Sequence, residues 1–183
     1  CFKNIKKLKL KKILQVVSSY PPADKFGGGS KIMYKYALLL SKTFDLDVYT
    51  TDVKNDNSRI ADFEKKNNLN IHYFKNFNTW LSSKFNINIS FQLIINLIKN
   101  INKYDYVHLA EIRGLNPLFV SILLMFNKKT KLIHSPFGML SSKVSYFSLN
   151  YLFRKLYDFF FIKILYRRID CSLVENQSEK LTC

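Results

Sequence analysis

Gly27-Gly28-Gly29, Glu111 with Arg113, and Phe137 with Gly138 are the residues whose types and spacing could bind a polar ligand. Glycines that follow an apolar run and open a helix let backbone N–H groups approach a phosphate or sugar oxygen, helped by the positive end of the helix. The same glycines could serve only a tight turn. Their pattern is neither G-x-G-x-x-G nor G-x-x-x-x-G-K-[ST], so a dinucleotide fingerprint and a Walker loop are both poorly supported. Glu111 and Arg113 come just past the apolar run Tyr106–Ala110, where ligand-binding groups are expected; the alternative is a local ion pair. Pro136 and Gly138 fix a sharp turn after His134-Ser135, with Phe137 as a candidate pocket wall. His108 and His134 lie inside strand-like runs and read as hydrogen-bonded core. With His72 they are spread over separate segments, which argues against a metal site. No Ser, Cys or Thr stands in a recognisable nucleophile elbow.

The elements that must position these residues alternate. Ile13–Ser18 is a short β-branched run suited to a buried parallel strand, the Pro- and Gly-rich stretch 20–29 is a loop, and 30–43 has helical spacing. The pattern then predicts strands over 46–51 and 71–74, with a helix over 58–67 that Ser58 could cap. The stretch 77–90 shows no clean period and leads into a helix over 91–101, with Leu93, Ile94, Leu97, Ile98 and Ile101 on one face. Further strands are predicted over 106–110, 131–135 and 171–174, and helices over 116–126, with Pro117 in its first turn, and 149–166. Asn176 or Ser178 could cap one more helix. This order predicts a doubly wound, Rossmann-like α/β domain with a parallel sheet covered on both faces. Ligands of such sheets bind beyond the carboxyl ends of the strands, where strand order reverses. The three candidate stretches all fall at that end.

A chain of 183 residues, 48% hydrophobic and 23% charged, suffices for one domain. It begins at Cys1 and stops at Cys183, and reads as a fragment at both ends. The formal charge of +16, from 29 Lys and Arg against 13 Asp and Glu, favours anionic surroundings. A basic, aromatic-rich nucleic-acid-binding module is one reading of that charge. No recognition motif accompanies it, and many aromatics fall at core-facing periods, so no nucleic acid is expected as partner. Three cysteines without a C-x-x-C pair suit a reducing cytoplasm. No apolar run is long enough for a membrane span. Leu149, Leu152, Phe153, Leu156, Phe160, Ile164 and Leu165 form a stripe flanked by Arg154, Lys155, Lys163, Arg167 and Arg168, which suits either an anionic membrane surface or an ordinary core-packing helix.

Four segments together resemble the N-terminal domain of family 4 glycosyltransferases: ILQVVSSYPPADKFGGGSKIMYKYALLLSK, YDYVHLAEIRG, KLIHSPFGML and KLYDFFFIKILYRRIDCSLVENQSEK, in the family's order and across nearly the whole chain. The resemblance implies one half of a GT-B architecture. It implies an acceptor-side domain covering residues 1–183, with the donor-binding C-terminal domain outside this chain. The implied reaction moves a hexosyl-type sugar from a nucleotide sugar to a glycan or lipid-linked acceptor. Configuration would be retained, no metal or other cofactor is expected, and the product would serve cell-surface polysaccharide at the inner face of the membrane. Gly28 and Gly29 would approach the donor diphosphate and acceptor. Glu111, Arg113, Phe137 and Gly138 would line the acceptor or sugar pocket. This chain departs from the family at Phe137, where many relatives carry His, and at Ala110, where a second His is frequent. A phenyl ring cannot donate a hydrogen bond, so no catalytic residue is assigned. A half that pairs with a separate C-terminal domain, without catalysis of its own, is the alternative.

Overall fold

The alternation of short apolar runs with helical ones produces, in the computed structural model, a seven-stranded sheet in the order β3-β4-β2-β1-β5-β6-β7. The structure describes residues 10–23, 28–55, 58–60, 62–80, 82, 88–111, 113–137 and 155–174. The strands are β1 Lys12–Val16, β2 Asp45–Thr51, β3 Phe63–Lys66, β4 Leu69–Phe74, β5 Tyr106–Ala110, β6 Lys131–Ser135 and β7 Cys171–Ser172. All pairings are parallel except β3 with β4. From β1 the chain builds outward through β2 and β4, then returns to the other side of β1 and builds through β5, β6 and β7. The reversal therefore falls between β1 and β5, which pair in register from Ile13–Tyr106 to Val16–Leu109.

Period-two alternation sends neighbouring residues of each strand to opposite faces, and each face has its own core. On one, Met33 and Ala37 of helix α1, Gly28–Leu40, pack with Ile13, Val17, Leu46, Val48 and Ile71. On the other, helices α2, Phe91–Asn100, and α3, Leu115–Met125, pack with Leu14, Val16, Val107, Leu109 and Leu132. A leucine such as Leu97, wholly buried in α2, contributes about 2 kcal/mol by its removal from water. Helix α2 starts where expected because the Ser90 hydroxyl accepts from the Leu93 N–H. Ile98, expected on its core face with Leu93 and Leu97, is instead 56% exposed.

Residues 58–67 do not form the expected helix. Val53 and Arg59 make an isolated antiparallel bridge, and Phe63–Lys66 is an edge strand antiparallel to β4. Asn67 takes a left-handed φ of 56°, which turns the chain back on itself. Every residue of β3 is exposed, so no apolar stripe exists to hold a helix on the core. Ser58 caps nothing there; its N–H donates to the Asn55 side chain.

The helix expected over 149–166 falls within the described residues only from Lys155. There a π-helical turn, Asp158–Ile162, leads into α4, Lys163–Arg168. The π turn rotates the stripe: Leu156 and Phe160 are 48% and 58% exposed while Leu165 is buried against the core. Leu149, Leu152, Phe153 and Arg154, like Asn176 and Ser178, lie outside the described residues. Arg168 locks α4 in place by donating to the carbonyls of Leu124, Asn127 and Thr130 at the end of α3. No helix among the described residues is long and apolar enough to cross a membrane.

Candidate functional site

Where the strand order reverses, the loops leaving β1 and β5 bring Ser18 and Glu111 together across 93 positions of sequence. The Ser18 hydroxyl donates to Oε2 of Glu111 at 2.5 Å and its N–H reaches Oε1 at 3.4 Å. Thr51, at the end of β2, anchors this loop by donating to the Ser18 carbonyl at 2.7 Å. Asn116, in the first turn of α3, points Nδ2 at the Ser18 hydroxyl at 3.4 Å. Asn116 is 2% exposed, and its Oδ1 is buried with no hydrogen-bond partner among the described residues. A buried acceptor left unmet costs about 1–3 kcal/mol, a penalty that a ligand hydroxyl or amine would relieve.

Glu111 is held in a conformation that its residue type resists. Its φ is 72°, in the left-handed region where a side chain other than Asn, Asp or Gly is uncommon. Two contacts impose this: its N–H donates to the Ser135 carbonyl, and Nε2 of His134 donates to its own carbonyl at 2.9 Å. Burial pushes the Glu111 carboxyl up to about 7, against the opposing pull of the two Ser18 hydrogen bonds. Near neutral pH the group is thus divided between proton donor and acceptor. Phe137, at the end of the next strand, is likewise left-handed at φ 50°. Strained residues at adjoining strand ends are a pattern associated with ligand sites.

Gly28 and Gly29 open α1, and Gly29 lies against Phe137. A Cβ on Gly29 would stand 3.3 Å from Cδ2 of Phe137, so the absence of a side chain lets the ring lie against α1. A Cβ on Gly28 would meet nothing within 4 Å, so packing does not require that glycine. Both stand in the first turn of α1, where N–H groups lack intrahelical acceptors.

Arg113 does not join Glu111. Its Nε and Nη2 grip both oxygens of Asp158 at 2.8 and 2.7 Å, tying the loop after β5 to the π turn. Tyr157 reinforces that tie by donating to the Gly114 carbonyl. Gly138 lies outside the described residues. His108 is core, with Nδ1 3.4 Å from Gln15 Nε2 and Nε2 2.9 Å from Ser135 Oγ. Burial, with His134 adding to it, lowers its pKa to about 4, so it is neutral at physiological pH. Among the described residues no three His, Cys, Asp or Glu side chains come together as metal ligands. Ser18 and Asn116, which complete the cluster, carry no spacing relation to Glu111 that the sequence alone reveals.

Volume alone would point elsewhere. A concavity of about 630 Å³ lies between Ile98, Tyr104, Asp105, Phe126 and Thr130, and an apolar groove of about 340 Å³ lies over Tyr36, Leu40, Tyr106 and Ile133. The first sits at the amino ends of β5 and β6, and the second is nearly devoid of polar atoms. Neither offers the convergent polar groups of the strand reversal.

No protein-family model and no curated protein sequence matches the chain. Among solved structures, it is similar to a sucrose-phosphate synthase from Thermosynechococcus elongatus, at a TM-score of 0.56 and 12% identity over 93% of this chain. A shorter chain of the same synthase gives a TM-score of 0.53 at 13% identity, with 93% of this chain and 79% of that one covered. The chain spans 44% of the length of the longer synthase chain. At such identity the likeness establishes a shared α/β, Rossmann-like fold.

Proposed function

We propose that this chain is the acceptor-side half of a GT-B glycosyltransferase that moves a sugar from a nucleotide-sugar donor to a glycan or lipid-linked acceptor. The observation that carries the reading is the Ser18–Glu111–Asn116 cluster at the strand reversal, with the glycine-opened end of α1 against Phe137 just past the neighbouring strand. The synthase likeness supports it at the level of fold, since that protein's name denotes formation of a glycosidic product.

In this reading the free N–H groups of Gly28 and Gly29 face the donor diphosphate and stabilise the charge that develops as it leaves. Ionised Glu111 and the Asn116 Oδ1 accept hydrogen bonds from acceptor hydroxyls and fix which one is presented. Phe137 forms an apolar wall, without the proton chemistry that a histidine would bring there. Arg113 acts through the loop, by holding it to Asp158, and not by touching the sugar. The donor half, with its nucleotide contacts, belongs to a second domain, and configuration is retained with no metal required. Synthesis of cell-surface polysaccharide in the cytoplasm is the setting that the family resemblance suggests.

The test has two stages. The reading frame beyond Cys183 should encode a second α/β domain of about 150–200 residues. The protein containing both should release nucleoside diphosphate from at least one of a panel of UDP- and GDP-sugars when a lipid and oligosaccharide extract is supplied. A folded two-domain protein inert toward every donor would refute transfer. A stop codon after Cys183 would favour a half that pairs with a separate donor domain.

A further inference from the structure

We propose that the outer face of α2, together with the Phe77 loop before it, is a docking surface for an anionic lipid bilayer. The proposal goes beyond the transfer reading and does not depend on it. Helix α2 carries apolar residues on both its inner and its outer side. Leu93 and Leu97 are buried on the sheet, yet Phe91, Ile95 and Ile98, at i, i+4 and i+7, are 61%, 48% and 56% exposed. A helix with one face on a core ordinarily turns polar groups outward, so this second apolar face lacks a role inside the domain. Phe77, 66% exposed, meets Phe91 ring to ring at 5.9 Å, so loop and helix share one patch.

Charge identifies the occupant. From Lys65 to Tyr104 the chain has six lysines, at 65, 66, 75, 84, 99 and 103, and no aspartate or glutamate. Lys75, Lys99 and Lys103 are exposed around the patch. Apolar side chains that can enter the acyl boundary, ringed by lysines that meet headgroup phosphates, are the two components of interfacial binding. A second copy of the same face would set Lys75 and Lys99 against their own counterparts. The comparable patch on the π turn, Leu156, Phe159 and Phe160, shares its segment with Asp158 and Asp170, so α2 is the stronger lipid face. Phe77 and Phe91 lie at the end of the domain where β4 finishes, the end at which the strand-reversal crevice opens. Docking there would bring the crevice near the headgroup layer.

Vesicle flotation at low salt tests the proposal. The folded protein should float with vesicles of mixed phosphatidylglycerol and phosphatidylcholine, stay behind with phosphatidylcholine alone, and detach as salt is raised. Trp80, the single tryptophan, follows Phe77 by three positions, and its emission should shift to the blue and be quenched by brominated acyl chains. The double variant Ile95→Asp/Ile98→Asp should lower the bound fraction by about tenfold or more. Should that variant fail to fold, Lys99→Glu/Lys103→Glu, which leaves the apolar face intact, should weaken binding to phosphatidylglycerol by about tenfold. Wild-type protein that ignores anionic vesicles would overturn the proposal, as would binding undiminished in both variants. A dimer in sedimentation that the Ile95/Ile98 variant dissociates would also overturn it, by assigning the face to a second copy.

Discussion

Two carboxylates stand just past strand ends at the same edge of the sheet, and they are treated in opposite ways. Asp52, after β2, is gripped by Arg59 Nη1 at 2.7 Å on both oxygens and accepts the Asn76 N–H at 2.8 Å. Arg59 donates onward to the Asn76 carbonyl, and the Asn76 side chain takes the Ile89 N–H and gives to Asn78. Every partner in that network has partners of its own. Glu111, after β5, is met by a serine, lies in a strained backbone, and neighbours an asparagine whose Oδ1 is unmet. A closed network staples a long loop to the sheet, whereas an open one leaves bonding capacity for something that arrives later.

The sharpest way to break this contrast is Arg59→Ala, which strands the buried Asp52. It should lower unfolding free energy by about 3 kcal/mol in urea titrations. A loss under about 1 kcal/mol would remove the distinction between the two networks.

Glu111→Gln should act in the other direction, and by an amount set by pH. The folded chain holds this proton up to about pH 7, whereas the ordinary value is 4.5. The stability associated with holding it is complete below pH 4.5 and is lost as pH rises through 7. Glutamine never pays the cost of a buried charge, so the variant should be the more stable by about 2 kcal/mol at pH 8, with the gap closing toward pH 5. A constant gap across that range would mean that Glu111 is ionised throughout.

The asparagines sharpen the comparison further. Asn76→Leu should cost about 2 kcal/mol because it orphans the Ile89 N–H and removes the side-chain donor to the Asn78 carbonyl, whereas Asn116→Leu should cost about 1 kcal/mol or less. Smallest are the glycines, read by thermal unfolding. Gly29→Ala meets the Phe137 ring and should cost about 1 kcal/mol. Gly28→Ala opens onto space and should change stability by no more than about 0.5 kcal/mol.

Much of the sheet was legible in the sequence because its central strands are continuous β-branched or aromatic runs bounded by turns. ILQVV, LDVYTT, YVHLA and KLIHS each became a strand within a residue or two of the expected bounds. The edge hairpin was not legible, since Phe63–Lys66 is a fully exposed strand whose lysines and glutamate suit a helix equally well. Its one signal was Asn67-Asn68, a turn pair that tolerates positive φ. The π turn was hidden because i, i+3 and i+4 spacing does not report an inserted residue. At the crevice, Glu111 was marked by its place after a strand. Ser18 and Asn116 join it across 93 and 98 positions, and no local period encodes that closeness. Arg113, singled out with Glu111 by its place just past the strand, is paired with Asp158, 45 positions downstream.

The most direct test of the strand reversal as the working site is the pH profile of nucleoside diphosphate release by the two-domain protein proposed above, wild type against Glu111→Gln. The account predicts that wild-type release rises through about pH 7 as Glu111 ionises, and that this step vanishes in the variant. Identical profiles at equal rates would contradict the role assigned to Glu111 and move the acceptor site away from the strand reversal.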